Sequence, residues 1–163
     1  MDLEKILEKV PWITKDGFFD PTKYPIEGAL KQALSEDRQK SRSGLNLLQA
    51  MHTGGRKEAG VLLLGLLASC GDHWERRIAI VEALQGFDTK PCADFLFGEF
   101  KRVKSSNTTR RYLGAVIKVL STMRPKLVEA GFESLADDKS FTPKMRDKFR
   151  AVFESRFLDE DDW

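Results

Sequence analysis

Residues 72–84 read Asp-His-Trp-Glu-Arg-Arg-Ile-Ala-Ile-Val-Glu-Ala-Leu, and this stretch decides the fold. Its apolar residues Val81 and Leu84, with Phe87 just beyond, are spaced three apart and therefore form one stripe along a helix. The same triad returns 36 residues away in both directions. Its members are Leu45, Leu48 and Met51 in the earlier copy and Ile117, Leu120 and Met123 in the later copy.

Basic residues recur in nearly the same register, at Arg42, Arg77, Arg111 and Arg146. Such internal similarity predicts a repeat of helical hairpins. Further apolar stripes predict helices over about 26–34, 56–70, 90–103, 125–136 and 143–156. No segment shows sustained alternation of apolar and polar residues between hairpin turns, so the predicted fold class is all-α.

The helix starts carry their own signals. Asp72 followed by Glu75 predicts a capping box, in which each side chain satisfies a free backbone amide. Asn107 and Thr142 are predicted N-caps, and Pro143 suits a first helical turn because its missing N–H costs little there.

The pattern Asp72-x-x-x-Arg76-Arg77-x-Ala79-x-x-x-Ala83-Leu84, followed by a turn and an apolar helix, resembles a HEAT repeat of the phycobilisome-lyase-like subtype. Looser copies extend the similarity over roughly residues 35–156. The resemblance implies an α-α superhelix, a HEAT-like solenoid of about four helical hairpins. Members of this family serve mostly as protein-interaction scaffolds, some HEAT-like members bind nucleic acid, and one branch consists of DNA glycosylases.

The two ends differ from the repeat. We expect a single domain over residues 1–157, in which a short helix and loop, residues 1–25, cap the first hairpin. The aromatic residues of that loop can either pack over the hairpin or form an exposed docking patch. They are Trp12, Phe18, Phe19 and Tyr24. Residues 158–163 are predicted to be an acidic tail.

Charge is unevenly distributed along the chain, whose net charge is +2. Residues 1–37 carry −3, residues 38–126 carry +9 and residues 127–163 carry −4. Arginines at equivalent positions of stacked repeats are expected to form a basic ridge. Such a ridge can bind phosphates or acidic groups of a partner, or its arginines can pair internally with Asp37 and Asp72.

The sequence predicts no catalytic, metal-binding or cofactor-binding residue. Cys70 and His73 offer two possible zinc ligands, but structural zinc sites normally need four in recognisable pairs. Cys92 lies near a helix start without an identifiable base, and a nucleophile needs one. Trp74 with Asp72 or Glu75 is the only combination suited to a glycosylase.

The leading hypothesis is a non-enzymatic scaffold that binds another protein, and the alternative is a nucleic-acid-binding protein. The candidate partner-binding residues are Arg42, Arg76, Arg77, Arg110, Arg111, Arg146, Trp12 and Trp74. The first residues do not form a secretory signal, and the longest apolar-rich run, residues 59–70, is shorter than the roughly 20 residues that span a bilayer. These features predict a cytoplasmic protein without membrane contact.

Overall fold

The computed structural model describes residues 3–155, which form helices joined by turns, with one 3-10 turn at Pro21–Lys23 and one isolated β-bridge between Ile13 and Phe19. The predicted all-α class is confirmed. The helices are α1 (Leu3–Glu8), α2 (Ile26–Ala33), α3 (Arg38–Thr53), α4 (Lys57–Ser69), α5 (Trp74–Ala83), α6 (Lys90–Arg102), α7 (Arg110–Thr122), α8 (Pro125–Asp137) and α9 (Pro143–Phe153). Across residues 3–155, none of the helices is long and apolar enough to cross a membrane. The predicted acidic tail, 158–163, lies outside the described residues.

The chain divides into two compact units, unit 1 over Met1–Phe87 and unit 2 over Asp88–Trp163. In unit 1, α3 packs against α2, α4 and α5, and α4 also contacts α5. In unit 2, α6 packs against α7 and α8, and α8 packs against α9. The boundary falls between α5 and α6, inside the stretch where the sequence repeat is clearest.

The apolar stripes that define the repeat form the cores of the two units. Every member of the three triads is buried except Ile117, which is half-buried on α7. At Gly44 a methyl group would lie 2.2 Å from the backbone nitrogen of Ala33. The backbones of α2 and α3 are therefore in direct contact, which only glycine permits at this position.

Two predicted helix starts are wrong, and the first backbone hydrogen bonds explain why. The amide of Arg77 donates to the carbonyl of His73 at 2.9 Å, so α5 begins one residue too late for Asp72 to cap it with Glu75. Asn107 does not cap α7, because Ser106 and Thr109 hydrogen-bond to each other and build the turn that precedes the helix.

One predicted cap is confirmed and another was not anticipated. The Thr142 hydroxyl accepts a hydrogen bond from the Met145 amide at 3.3 Å at the start of α9. Thr89 makes the same kind of contact with the Cys92 amide, also at 3.3 Å, and begins α6. Both threonines are extended at the cap position, the conformation that brings a side-chain oxygen to free helix amides.

Candidate functional site

Arg77 is an internal residue of unit 1, although its sequence register placed it on the ridge. It is 2% exposed, and its Nη1 donates to the Leu67 carbonyl at 3.0 Å and to the Gly71 carbonyl at 2.9 Å. The last carbonyls of a helix lack intrahelical partners and carry partial negative charge, so a guanidinium is well suited to the end of α4. A partner on the surface cannot reach the Arg77 guanidinium, so this residue is not part of the candidate binding surface.

Trp74 and Glu75, which begin α5, are also engaged in contacts within unit 1. The guanidinium carbon of Arg77 lies 5.8 Å from the centroid of the Trp74 ring, and Trp74 is half-buried. Glu75 pairs with Arg38 of α3 at 3.5 Å, with both side chains exposed. Both residues therefore contact other side chains of unit 1, and Arg77 partly covers the face of the Trp74 ring.

Arg76 also bonds internally, but its partners are not the expected carboxylates. Its Nη2 donates to the carbonyls of Ala33 at 2.8 Å and Ser35 at 3.3 Å, where α2 ends. Asp37 instead accepts from the Lys40 amide at 2.9 Å as the N-cap of α3. The expected Asp–Arg links between repeats are therefore wrong for Arg76, since free helix carbonyls occupy that guanidinium.

The remaining predicted arginines are less enclosed. Arg42, Arg110 and Arg111 are exposed, and their side chains make no hydrogen bond or ion pair with residues 3–155. Arg146 is half-buried, and its Nε is buried without a hydrogen-bond partner there. The predicted arginines are thus divided between internal residues of α5, exposed residues of α3 and α7, and the half-buried Arg146 of α9.

The aromatic residues of the N-terminal loop do not behave alike. Trp12 packs edge-on against Tyr24 with ring centroids 5.5 Å apart, and both are half-buried. Arg56, which precedes α4, donates from Nη1 to the carbonyls of Thr22 at 2.8 Å and Tyr24 at 2.6 Å. Trp12 therefore packs within the loop of unit 1 that Arg56 holds, whereas Phe18 is 71% exposed.

Unit 2 contains a cleft between α7, the loop before it and the start of α9. Its volume is about 110 Å³. We call it the basic cleft, and its polar lining consists of Ser105, Arg110, Thr142, Lys144 and Lys148. The three cationic side chains are exposed and make no ion pair with the described residues.

No carboxylate lines the basic cleft within the described part of the chain. The acidic residue nearest along α9, Asp147, is paired with Arg150 at 3.3 Å. Sequence reasoning placed Arg110 on a binding surface but missed Lys148. The signal was present, because Lys148 follows Lys144 by four residues and therefore shares its face of α9.

The segment before and within α7 strengthens this positive potential. Residues 100–128 contain eight Lys or Arg and neither Asp nor Glu. Two of these cations are neutralised at the edges: Arg102 forms a double hydrogen bond with Glu99 at 2.7 and 2.8 Å, and Arg124 pairs with Asp88 at 3.8 Å. Of the six cations that remain, four lie on α7 and the loop before it.

Two of the residues with potential for chemistry, Cys92 and His52, are buried, whereas Cys70 is half-buried and His73 is exposed. Burial raises the pKa of the Cys92 thiol to about 12, so it is protonated at neutral pH and is a poor nucleophile. Burial lowers the pKa of His52, whose Nε2 lies 2.7 Å from the Ala83 carbonyl. Among residues 3–155, no three His, Cys, Asp or Glu side chains are grouped in a way that could hold a metal ion.

No family model, curated protein or solved structure matches this chain. The resemblance to HEAT repeats therefore stays a prediction. The interpretation of the basic cleft depends on the chemistry of its own residues.

Proposed function

We propose that this protein is a non-enzymatic interaction module that binds an acidic segment of a partner protein in the basic cleft. The observation that carries this proposal is the convergence of Arg110, Lys144 and Lys148 on one cleft without a carboxylate of the described residues. Three like charges around one cleft repel each other. An acidic partner removes that repulsion and gains charge-assisted hydrogen bonds.

The helix packing is consistent with a HEAT-like solenoid, which we include in the proposal. In unit 1, α3 contacts α5, with α4 touching both. In unit 2, α6 contacts α8 as well as α7. Contacts between helices two apart in the chain are expected when hairpins stack, and stacked hairpins present extended surfaces to partners.

The buried state of Cys92 and His52 also favours a binding role. A catalytic thiol or imidazole must reach its substrate. Cys92 has no exposed surface, and His52 is 6% exposed with its Nε2 committed to a backbone carbonyl.

The test measures binding of a fluorescent poly-glutamate peptide by anisotropy. The cleft variant combines Arg110→Gln, Lys144→Gln and Lys148→Gln. The control variant combines Lys118→Gln, Lys126→Gln and Lys139→Gln, which are exposed lysines of unit 2 outside the cleft lining. Both variants lose the same charge, so we expect only the cleft variant to lose binding, by about tenfold or more. Equal loss in both, or no binding by the intact protein, would contradict the proposal.

Nucleic-acid binding is a second candidate, favoured by the acid-free stretch of residues 100–128. Phosphate contacts spread along that stretch would give sequence-independent affinity that falls steeply with salt. Single-stranded RNA is a suitable probe, measured over a series of salt concentrations. Comparable weakening in the cleft and control variants, with a reduced salt slope in each, would favour nucleic acid over an acidic protein.

A further inference from the structure

The polar lining of the basic cleft has the charge and the donors that a phosphate group requires. We infer that this cleft binds the phosphate of a phosphorylated serine or threonine in the partner protein. The inference rests on the proposed function, because it specifies what the acidic segment carries. It is supported by the charge, the hydroxyl donors and the size of the site.

The charge balance distinguishes phosphate from carboxylate. A phosphoserine or phosphothreonine carries about −1.5 to −2 at neutral pH and has three strong acceptor oxygens, whereas a carboxylate carries a single charge. Arg110 approaches from α7, while Lys144 and Lys148 approach from α9. Three cations converging from two helices can serve three oxygens of a tetrahedral group, which exceeds what one planar carboxylate can use.

Two hydroxyl groups complete the donor set. Thr142 accepts from the Met145 amide, so its own hydroxyl proton is available for donation into the cleft. Ser105 is exposed and makes no hydrogen bond with the described residues. At the start of α9, Pro143 has no N–H and the Met145 amide is already bonded, which leaves the Lys144 amide as the one backbone donor of the first three helical residues. The side chains therefore carry most of the recognition.

The cleft has room for a phosphate group. Its volume of about 110 Å³ is several times what one ordered water molecule needs. The apolar part of the lining is formed by Leu113, Ile117 and Met145. These side chains can contact the aliphatic atoms of a peptide next to the phosphorylated residue.

A phosphopeptide fits this site better than a nucleic acid does. Single-stranded nucleic acids are bound by grooves that follow the backbone and by aromatic side chains that stack on the bases. No aromatic residue of the described chain lines the basic cleft, and its three cations line a single cleft of about 110 Å³.

The first measurement is an amide NMR titration of the full chain with inorganic phosphate. We expect saturable shifts at Ser105, Arg110 and the segment 142–148, and their loss in the cleft variant but not in the control variant. The second measurement compares a degenerate peptide library with a central phosphoserine against the same library with serine. The phosphorylated library should bind at least about tenfold more tightly, and Arg110→Gln alone should remove about tenfold of that affinity.

The outcomes separate this inference from the proposed function. If poly-glutamate binds in the cleft and phosphorylation adds nothing, the phosphate inference is wrong and the proposed function survives. If neither poly-glutamate nor the phosphorylated library binds, both are wrong. Tighter binding of RNA than of the phosphorylated library, lost equally in both variants, would overturn the inference in favour of nucleic acid.

Discussion

The Nη1 atom of Arg77 lies 3.0 Å from the carbonyl oxygen of Leu67, so a guanidinium from α5 closes the C-terminal end of α4 within unit 1. The same atom reaches Gly71 at 2.9 Å, in the turn that leads towards α5. Arg77 thus connects the end of one helix with the chain that begins the next. This role is structural, although the residue belongs to the repeated basic register of the sequence.

Replacing Arg77 is expected to destabilise the fold. Arg77→Met keeps much of the side-chain volume but leaves the Leu67 and Gly71 carbonyls without their charged donor. Because the site is buried, we expect a loss of about 2–4 kcal/mol in the free energy of unfolding, measured in urea. Arg111→Met is the matched control, since Arg111 is exposed and should change stability by less than about 0.5 kcal/mol. Equal effects of the two substitutions would refute the structural role.

The close contact between α2 and α3 predicts that Gly44 tolerates no side chain. Gly44→Ala would bring a methyl group 2.2 Å from Ala33 N and 2.7 Å from the Ala29 carbonyl oxygen. Both atoms belong to the backbone, so the helices must separate, at a cost of about 1–3 kcal/mol. Gly65→Ala in α4 meets nothing within 4 Å, and should stabilise the helix by up to about 1 kcal/mol. Thermal unfolding that ranks the two variants in the opposite order would contradict the packing of α2 on α3.

The burial of His52 predicts a loss of stability on mild acidification. Desolvation lowers its pKa below the ordinary value of 6.5, so the unfolded chain binds a proton at a pH where the folded protein does not. The stability that neutral, buried His52 contributes to the folded protein is therefore complete above pH 6.5. It is lost progressively as the pH falls below that value. The urea concentration at the unfolding midpoint of the intact protein should decrease as the pH is lowered from about 7.5 to about 5.5.

Two variants isolate the effect of His52. His52→Gln keeps an amide donor for the Ala83 carbonyl but cannot titrate, so the decrease in the urea midpoint over this range should become smaller. His73→Gln alters an exposed histidine and should leave the decrease unchanged. If both substitutions reduce the decrease equally, His52 is not its source.

The ordered position of the N-terminal loop is expected to depend on the hydrogen bonds that Arg56 donates to it. Arg56→Met removes two hydrogen bonds to the carbonyls of Thr22 and Tyr24, which should cost about 1–2 kcal/mol and accelerate amide exchange in residues 11–24. Lys57→Met alters the neighbouring exposed cation and should change neither quantity. Deletion of residues 1–25 should lower the melting temperature further, since the hydrogen bond from Gln32 of α2 to the Tyr24 hydroxyl would also be lost. Unchanged melting would indicate that this loop is not a cap.

Phe18 provides the contrasting case in the same loop. Because 71% of its surface is already exposed, Phe18→Ala should leave the free energy of unfolding within about 0.5 kcal/mol of the intact protein. Trp12→Ala removes the ring contact with Tyr24 and part of the buried apolar surface. It should therefore lower the free energy of unfolding by more than about 1 kcal/mol. Equal effects in urea unfolding would mean that the Trp12–Tyr24 contact contributes nothing to the cap.

The sequence by itself determined the helical class and most of the core, because helix periodicity depends on residues three and four positions apart. The stripe Leu45, Leu48 and Met51 and its copies were assigned to the core from spacing alone, and the start of α9 followed from Thr142 and Pro143. The caps expected at Asp72 and Asn107 were wrong, since the cap position is set by the residue whose carbonyl accepts the first backbone hydrogen bond of the helix.

Only the tertiary structure decided what each arginine does. Arg76 and Arg77 precede their apolar stripe much as Arg110 and Arg111 do, yet the first pair bonds helix carbonyls and the second pair is exposed. The difference arises from what lies opposite: the ends of α2 and α4 present free carbonyls to α5, whereas Arg110 faces the basic cleft. A local pattern records which side chains share a face, but their partners come from distant parts of the chain, and packing alone brings those partners within hydrogen-bond distance.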